Sequence, residues 1–221
     1  TRPDERAMTV HINYISEQFP AGAIAPQHNS PLLVTWDELL WSALTVGRPN
    51  RYHVWRHGVA SLHEALFRMS MMRMALEQVA GSNVLTRTRA ASTLDPSEKG
   101  AVNYFLGMVY CRLFAAKVFD APWALHLDVF HAQIGAILHS NSRPDLVAQR
   151  SDGDWVVFEA KGRVRVPTAD DKRKAKAQAG RVVRIGTRRP LRGIAGIFYH
   201  QGDEAKFFMR DPEPDDTKGI E

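Results

Sequence analysis

The chain reads as a mixed α/β (α+β) protein: a mixed β-sheet flanked by helices, behind a mainly helical N-terminal region. Three observations predict this. Two short apolar runs, 146–149 and 155–161, face each other across Ser151-Asp152-Gly153 and read as a β-hairpin. A long amphipathic stretch opens at Asp95-Pro96. A charged helical run over 169–179 lies between strand-like runs, as in a crossover. The 221 residues, 44% hydrophobic and 24% charged, suit one domain or one domain with an added subdomain. The predicted division is an N-terminal subdomain over 1–90, a core over 91–210 and an acidic tail over 211–221.

Each element has a local reason. Residues 9–15 suit a short strand, and 19–31, with Pro, Gly and Asn, reads as loop. Thr35-Trp36-Asp37-Glu38 is a capping-box pattern opening a short helix through Leu39, Leu40, Trp41 and Leu44. Gly47-Arg48-Pro49-Asn50 ends it. A longer helix is predicted over 54–80, where Leu62, Leu66, Met69, Met72, Ala75, Leu76 and Val79 recur at helical spacing. Met69, Met71, Met72 and Met74 read as core filling, because methionine packs irregular gaps. His53 and His57 stand four apart, with His63 beyond, but no further ligand stands nearby, so they read as packed or solvated.

Gly81-Ser82-Asn83 breaks that pattern, and Arg87 and Arg89 fall in a polar linker. Asp95 as N-cap, Pro96 at the first position and Glu98 at the third then open the main helix. Its apolar face is Val102, Phe105, Leu106, Val109, Leu113 and Phe114, and it ends near Phe119-Asp120-Ala121-Pro122. Residues 124–130 are predicted as the first core strand, with Asp128 structural. Residues 131–139 form an irregular or edge segment, and Asn141-Ser142 turns toward Asp145. After the helix over 169–179, which Gly180 closes, 181–185 is predicted as the strand completing a crossover. A last hairpin joins 194–199 and 206–209 over Gln201-Gly202-Asp203-Glu204, and the tail is frayed.

The hairpin carries the chemistry. Gly153 suits the last, left-handed position of a three-residue loop. That register pairs Arg150 with Asp154 and, counting back, Asp145 with Glu159. A two-residue turn at Asp152-Gly153 would instead set Asp145 opposite Ala160, on the wrong face, so the register is decisive. Strand alternation puts Lys161 on the face of Glu159. Two carboxylates this close resist ionisation unless a cation lies between them. Oxygen ligands of this kind suit Mg²⁺, with Mn²⁺ able to substitute.

Pro144-Asp145, followed by Glu159-Ala160-Lys161 after a hydrophobic run, resembles the signature of the PD-(D/E)XK nuclease superfamily. The resemblance covers roughly 95–210. It implies a restriction-endonuclease-like core of α-β-β-β-α-β order and a metal-dependent endonuclease that hydrolyses phosphodiester bonds to leave a 5′-phosphate. It further implies Asp145, Glu159 and the Ala160 carbonyl as metal ligands, with Lys161 as the residue that orients or deprotonates the attacking water. Glu98 has two readings, a capping-box carboxylate or an additional metal-site acid of the kind such nucleases carry on that helix.

Residues 161–192 hold twelve Lys or Arg against two Asp, a charge of +10 that leaves −5 for the rest of a chain whose net charge is +5. A basic run just after a phosphodiesterase-like site favours nucleic acid, DNA over RNA, through Arg163, Arg165, Lys172, Lys176, Gln178 and Arg181. Superfamily members often place a Gln or Lys from this helix near the site. The alternatives are a non-catalytic nucleic-acid-binding module and an interaction protein. In either case the N-terminal helices offer a surface for a homodimer or a protein partner. One cysteine excludes an intrachain disulfide. No run reaches the ~20 apolar residues of a membrane span, and no signal-peptide core follows the first residues, so a cytoplasmic location is expected.

Overall fold

The computed structural model describes residues 9–19, 31–139 and 142–211. In chain order it contains β1 (Thr9–Glu17), β2 (Leu32–Thr35), α1 (Trp36–Thr45), α2 (Arg51–Trp55), α3 (Val59–Ala75), β3 (Leu76–Gln78), β4 (Leu85–Arg87) and α4 (Arg89–Thr93). There follow α5 (Pro96–Val118), β5 (Ala124–His126), α6 (Leu127–Phe130), β6 (Ala136–Leu138), β7 (Leu146–Gln149) and β8 (Trp155–Arg163). The last are α7 (Ala169–Ala179), β9 (Val182–Ile185), β10 (Arg192–Gln201) and β11 (Glu204–Arg210).

Nine strands make one mixed sheet in the order β2-β1-β11-β10-β8-β7-β5, with the β3–β4 hairpin attached to β11. β5, β7 and β8 run antiparallel in turn, and β10 lies parallel to β8. The even side chains of β8, Val156, Phe158 and Ala160, enter the main core under α5, with Ile194, Phe198 and Phe207. Odd positions face the other way. Val147 and Val157 join Leu127, Phe130, Val182 and Ile185, while Ala195, Ile197 and Tyr199 lie under Ala175 of α7. The sheet therefore has one face closed by α5 and another shared by α7, α6 and the β6–β9 ribbon.

Several predicted elements form for the local reasons given. Thr35 and Glu38 exchange both capping-box bonds at the start of α1. Asp95 and Glu98 do the same for α5. α7 begins at its own capping box, between Thr168 and Asp171, and ends at Gly180. The helix predicted over 54–80 is divided: α2 and α3 flank Gly58, whose φ of 58° interrupts the helix, and the chain turns extended at Leu76 to pair with β4. Its buried side is Ser61, Ala65, Met72 and Ala75, so Leu62 and Leu66, expected in the core, face outward. Met72 is buried and Met71 and Met74 pack against the core, as filling.

Other differences are topological. The strand expected over 124–130 stops at His126: the Leu127 N–H still reaches the Asp145 carbonyl, as the next rung toward β7, but the Leu127 carbonyl accepts the His131 N–H and the chain coils into α6. β9 does not complete the crossover. It pairs with β6 in a separate two-stranded sheet, and the parallel partner of β8 is β10. The region before residue 90, expected to be mainly helical, also supplies β1 to β4. β1 lies parallel to β11, so this region shares the core sheet. The expected loop over 20–30, the Asn141 end of the turn before Asp145 and the tail from 212 lie outside the described residues. Among the described residues no helix is long and apolar enough to cross a membrane.

α5 approaches β8 closely enough to need glycine on both sides. A Cβ on Gly162 would stand 1.9 Å from the Asn103 carbonyl oxygen, and one on Gly107 would stand 2.5 Å from that of Lys161. Backbone atoms cannot yield as a flexible side chain can. Gly162→Ala is therefore expected to destabilise the fold by about 3 kcal/mol. Gly100→Ala, in the same helix with open space around it, is expected to stabilise by about 0.5–1 kcal/mol. Urea unfolding of the two variants checks the pair.

Candidate active site

The β7–β8 hairpin sets the geometry. Gly153 has a φ of 88°, the left-handed position of the loop, and its N–H donates to the Arg150 carbonyl at 2.9 Å. The ladder pairs Leu146 with Phe158, Val147 with Val157 and Gln149 with Trp155. Arg150 N–H donates to the Asp154 carbonyl at 2.8 Å, which closes the three-residue loop in the expected register. One step beyond Leu146 and Phe158, Asp145 therefore stands opposite Glu159.

Asp145 is fixed from two sides. Its Oδ2 accepts the Ala160 N–H at 2.8 Å, and its Oδ1 accepts the Tyr104 hydroxyl of α5 at 2.9 Å. Within a strand the N–H and C=O of one residue point the same way, so the Ala160 carbonyl also faces the Asp145 side. Glu159 is 2% exposed. One of its oxygens accepts from the Lys161 ammonium, two residues on along the same face. The other, Oε2, is buried without a partner.

That arrangement is electrostatically strained. Burial pushes the Glu159 carboxyl up to about 7 and the Asp145 charge adds to the rise, while Lys161 pulls the other way. The same two acids, together with burial, raise the Tyr104 phenol well above its ordinary range, so Tyr104 acts as a donor throughout neutral pH. A bare pair of carboxylates with an orphaned, desolvated oxygen has lone pairs in excess of donors. Asp145, Glu159 Oε2 and the Ala160 carbonyl are the groups that could hold a hard divalent cation there. Among the described residues no group of three or more His, Cys, Asp or Glu is disposed to hold a metal. Two carboxylates with water completing the shell is a ligand set that Mg²⁺ accepts.

The other expected site residues are placed differently. Glu98 is exposed, and its carboxylate accepts the Asp95 N–H at 3.1 Å, the capping reading of the two. Arg163 and Arg165 both hold Asp171, at 2.9 and 3.0 Å. Lys172 pairs with Glu17 and stands over the Phe208 ring, while Lys176 and Arg192 pair with the buried Asp211. Gln178 is half-buried on α7 and its carbonyl accepts the Arg181 N–H. Arg181, Arg184 and Arg189 are the cations of 161–192 with no carboxylate partner among the described residues. Asp128 holds Arg143 at 3.0 Å, a structural role. His53 bonds to Asn50 and His57 to Arg56.

Tyr104 was not singled out by the sequence. It lies between Asn103 and Phe105 on a helix whose apolar face was read from its neighbours, and its role depends on a residue 41 positions later. The signal available was weak: Tyr104 is one of two tyrosines on that helix, with Tyr110, and its spacing does not set it apart. Compared with protein-family models, curated proteins and solved structures, the chain matches none.

The Glu159 shift carries a sign. A carboxyl of raised pKa stabilises the fold below its unfolded value, 4.5, and loses that contribution as pH rises through about 7. In divalent-free buffer, wild type is expected to lose about 2 kcal/mol relative to Glu159→Gln between pH 5 and 8. Mg²⁺ restores the difference at pH 8 in wild type alone. Thermal melts across this range, with and without the ion, provide the check.

Proposed function

We propose that this chain is a metal-dependent phosphodiesterase that cuts DNA, a nuclease of the PD-(D/E)XK kind. The observation that carries the reading is the apposition of Asp145 and Glu159 across one hairpin, with Lys161 on the same face as Glu159. Element order supports it. With α6, β6 and β9 set aside as insertions, α5, β5, β7, β8, α7 and β10 come in the α-β-β-β-α-β order that the resemblance implies, and β10 lies parallel to β8.

The residues divide the work. Asp145 and Glu159 would hold the ion, with the Ala160 carbonyl as the protein's further ligand. A bound Mg²⁺ supplies Lewis acidity, lowering the pKa of water and screening the charge of the scissile phosphate. Tyr104 and the Ala160 N–H keep Asp145 in one orientation, which limits reorganisation when substrate arrives. Lys161 contacts Glu159 here, and that contact would loosen with a cation on the carboxylate. Its ammonium then orients the attacking water and opposes the negative charge that grows on the phosphate oxygens. Arg181, Arg184 and Arg189, with no carboxylate partner among the described residues, and the exposed Arg173 and Lys174, which share Asp170, are the cations left to meet backbone phosphates.

The decisive assay incubates supercoiled, linear and single-stranded DNA with the protein, with and without Mg²⁺ or Mn²⁺. Divalent-dependent nicking or cutting is expected. Lys161→Ala is expected to lower cleavage by about 10²–10³-fold while leaving DNA affinity nearly unchanged; undiminished cutting by that variant overturns the assignment. Tyr104→Phe keeps the ring and removes only the donor. It is expected to weaken Mg²⁺ activation by about 10–100-fold, read as a higher ion concentration for half-maximal cleavage.

A further inference from the structure

α3 is packed inside out. Its buried side chains are Ser61, Ala65, Met72 and Ala75, while Val59 (71% exposed), Leu62 (50%), Leu66 (48%) and Phe67 (62%) face solvent. Tyr52 and Trp55, exposed on the preceding α2, extend the apolar set. A contiguous apolar surface of this kind marks an interaction site more often than chance exposure, because folding alone gains nothing from it. Val59, Leu62 and Leu66 recur at intervals of three and four, the spacing of side chains that a second helix receives between its own.

The rim selects the partner's charge. Residues 48–75 contain Arg48, Arg51, Arg56, Arg68 and Arg73, with His53, His57 and His63, against the single acid Glu64. That acid is already engaged by Arg48 and Arg68. Arg56, His57 and His63 remain exposed beside the apolar stripe. Two copies of this face would set like charge against like, since residues 48–75 hold five Arg against one Glu, and such contacts disfavour a self-complex. A nucleic-acid strand meets the arginines but leaves Val59, Leu62 and Leu66 unmatched.

We propose that this face receives an amphipathic helix of another protein, apolar along its seam and flanked by Asp and Glu. The inference holds whatever reaction the Asp145–Glu159 site performs. The full chain is titrated, by fluorescence anisotropy, with two synthetic three-heptad peptides that share one Leu/Ile seam. One peptide carries Glu at the flanking positions and the other Lys. The Glu peptide is expected to bind at least about tenfold more tightly. Leu62→Glu with Leu66→Glu abolishes binding, and Arg56→Glu with His63→Glu inverts the preference. All four positions are exposed, so unchanged melting temperatures separate lost docking from lost folding. Equal affinity for the two peptides, binding of neither, or binding that survives the leucine substitutions overturns the proposal. So does a solution dimer that the leucine substitutions split. Binding of a single-stranded DNA oligomer or a phosphatidylserine vesicle that they abolish overturns it as well.

Discussion

Register is the constraint on which the rest depends. Asp145 and Glu159 meet because Ser151-Asp152-Gly153 makes a three-residue loop, and that loop holds because Gly153 accepts a left-handed backbone. A slip of one residue would send one carboxylate to the opposite face of the sheet. Nothing about the two acids favours their meeting. They repel, and one of them is buried with an oxygen unpartnered. The apolar ladder from Leu146 to Gln149 supplies the opposing force. Leu146, Val147, Ala148, Val156, Val157 and Phe158 are fully buried, and each side chain of that size contributes about 1.5–3 kcal/mol on leaving water, Ala less. A core on both faces of the hairpin therefore holds two like charges together, which is how a strained site persists.

The close approach of α5 to β8 serves the same end from the other face. Gly107 and Gly162 let the helix backbone rest almost on the strand at Asn103 and Lys161. The neighbour of Asn103 is Tyr104, and only at that depth does its hydroxyl reach Asp145 past the end of β7. Helix, hairpin and site thus form one mechanical unit. β10, paired along β8 from Arg192 to Tyr199, stiffens the strand that bears Glu159 and Lys161.

What was legible in the sequence was local. The hairpin register follows from loop length and one glycine, and the capping boxes of α1 and α5 from residues three apart. The end of α7 follows from Gly180 for the same reason, whereas its Thr168–Asp171 capping box was not read from the sequence. Features that depend on distant partners were not legible. Helical spacing in 54–80 marks an apolar stripe but does not say that the core takes the opposite side, with Ser61 and Ala65. Nor does it show that β9 finds β6 while β10 finds β8, since both strands are apolar and follow the same helix. Lys172 and Lys176 illustrate the limit most clearly. Their partners, Glu17 and Asp211, lie 155 and 35 residues away, and a charge run read along the chain shows neither.

Those ion pairs change what the basic segment means. Counted as sequence, 161–192 is a reservoir of positive charge for phosphate. In the fold, Asp171 takes Arg163 and Arg165, Asp211 takes Lys176 and Arg192, and Asp154 takes Arg188. Asp211 is itself buried, so its pairs tie the start of β10 and α7 to the end of β11 rather than facing solvent. Exposed pairs such as Arg173 and Lys174 with Asp170 add little to stability and leave most of their charge to the surroundings. The field of this surface is thus set less by the number of cations than by which of them are sequestered. By that measure the unpaired charge gathers on Arg181, Arg184 and Arg189, around the ribbon strand that follows α7. Of the residues the sequence singled out for phosphate, Arg181 alone keeps a charge with no carboxylate partner among the described residues, and Arg184 and Arg189 join it on and after β9.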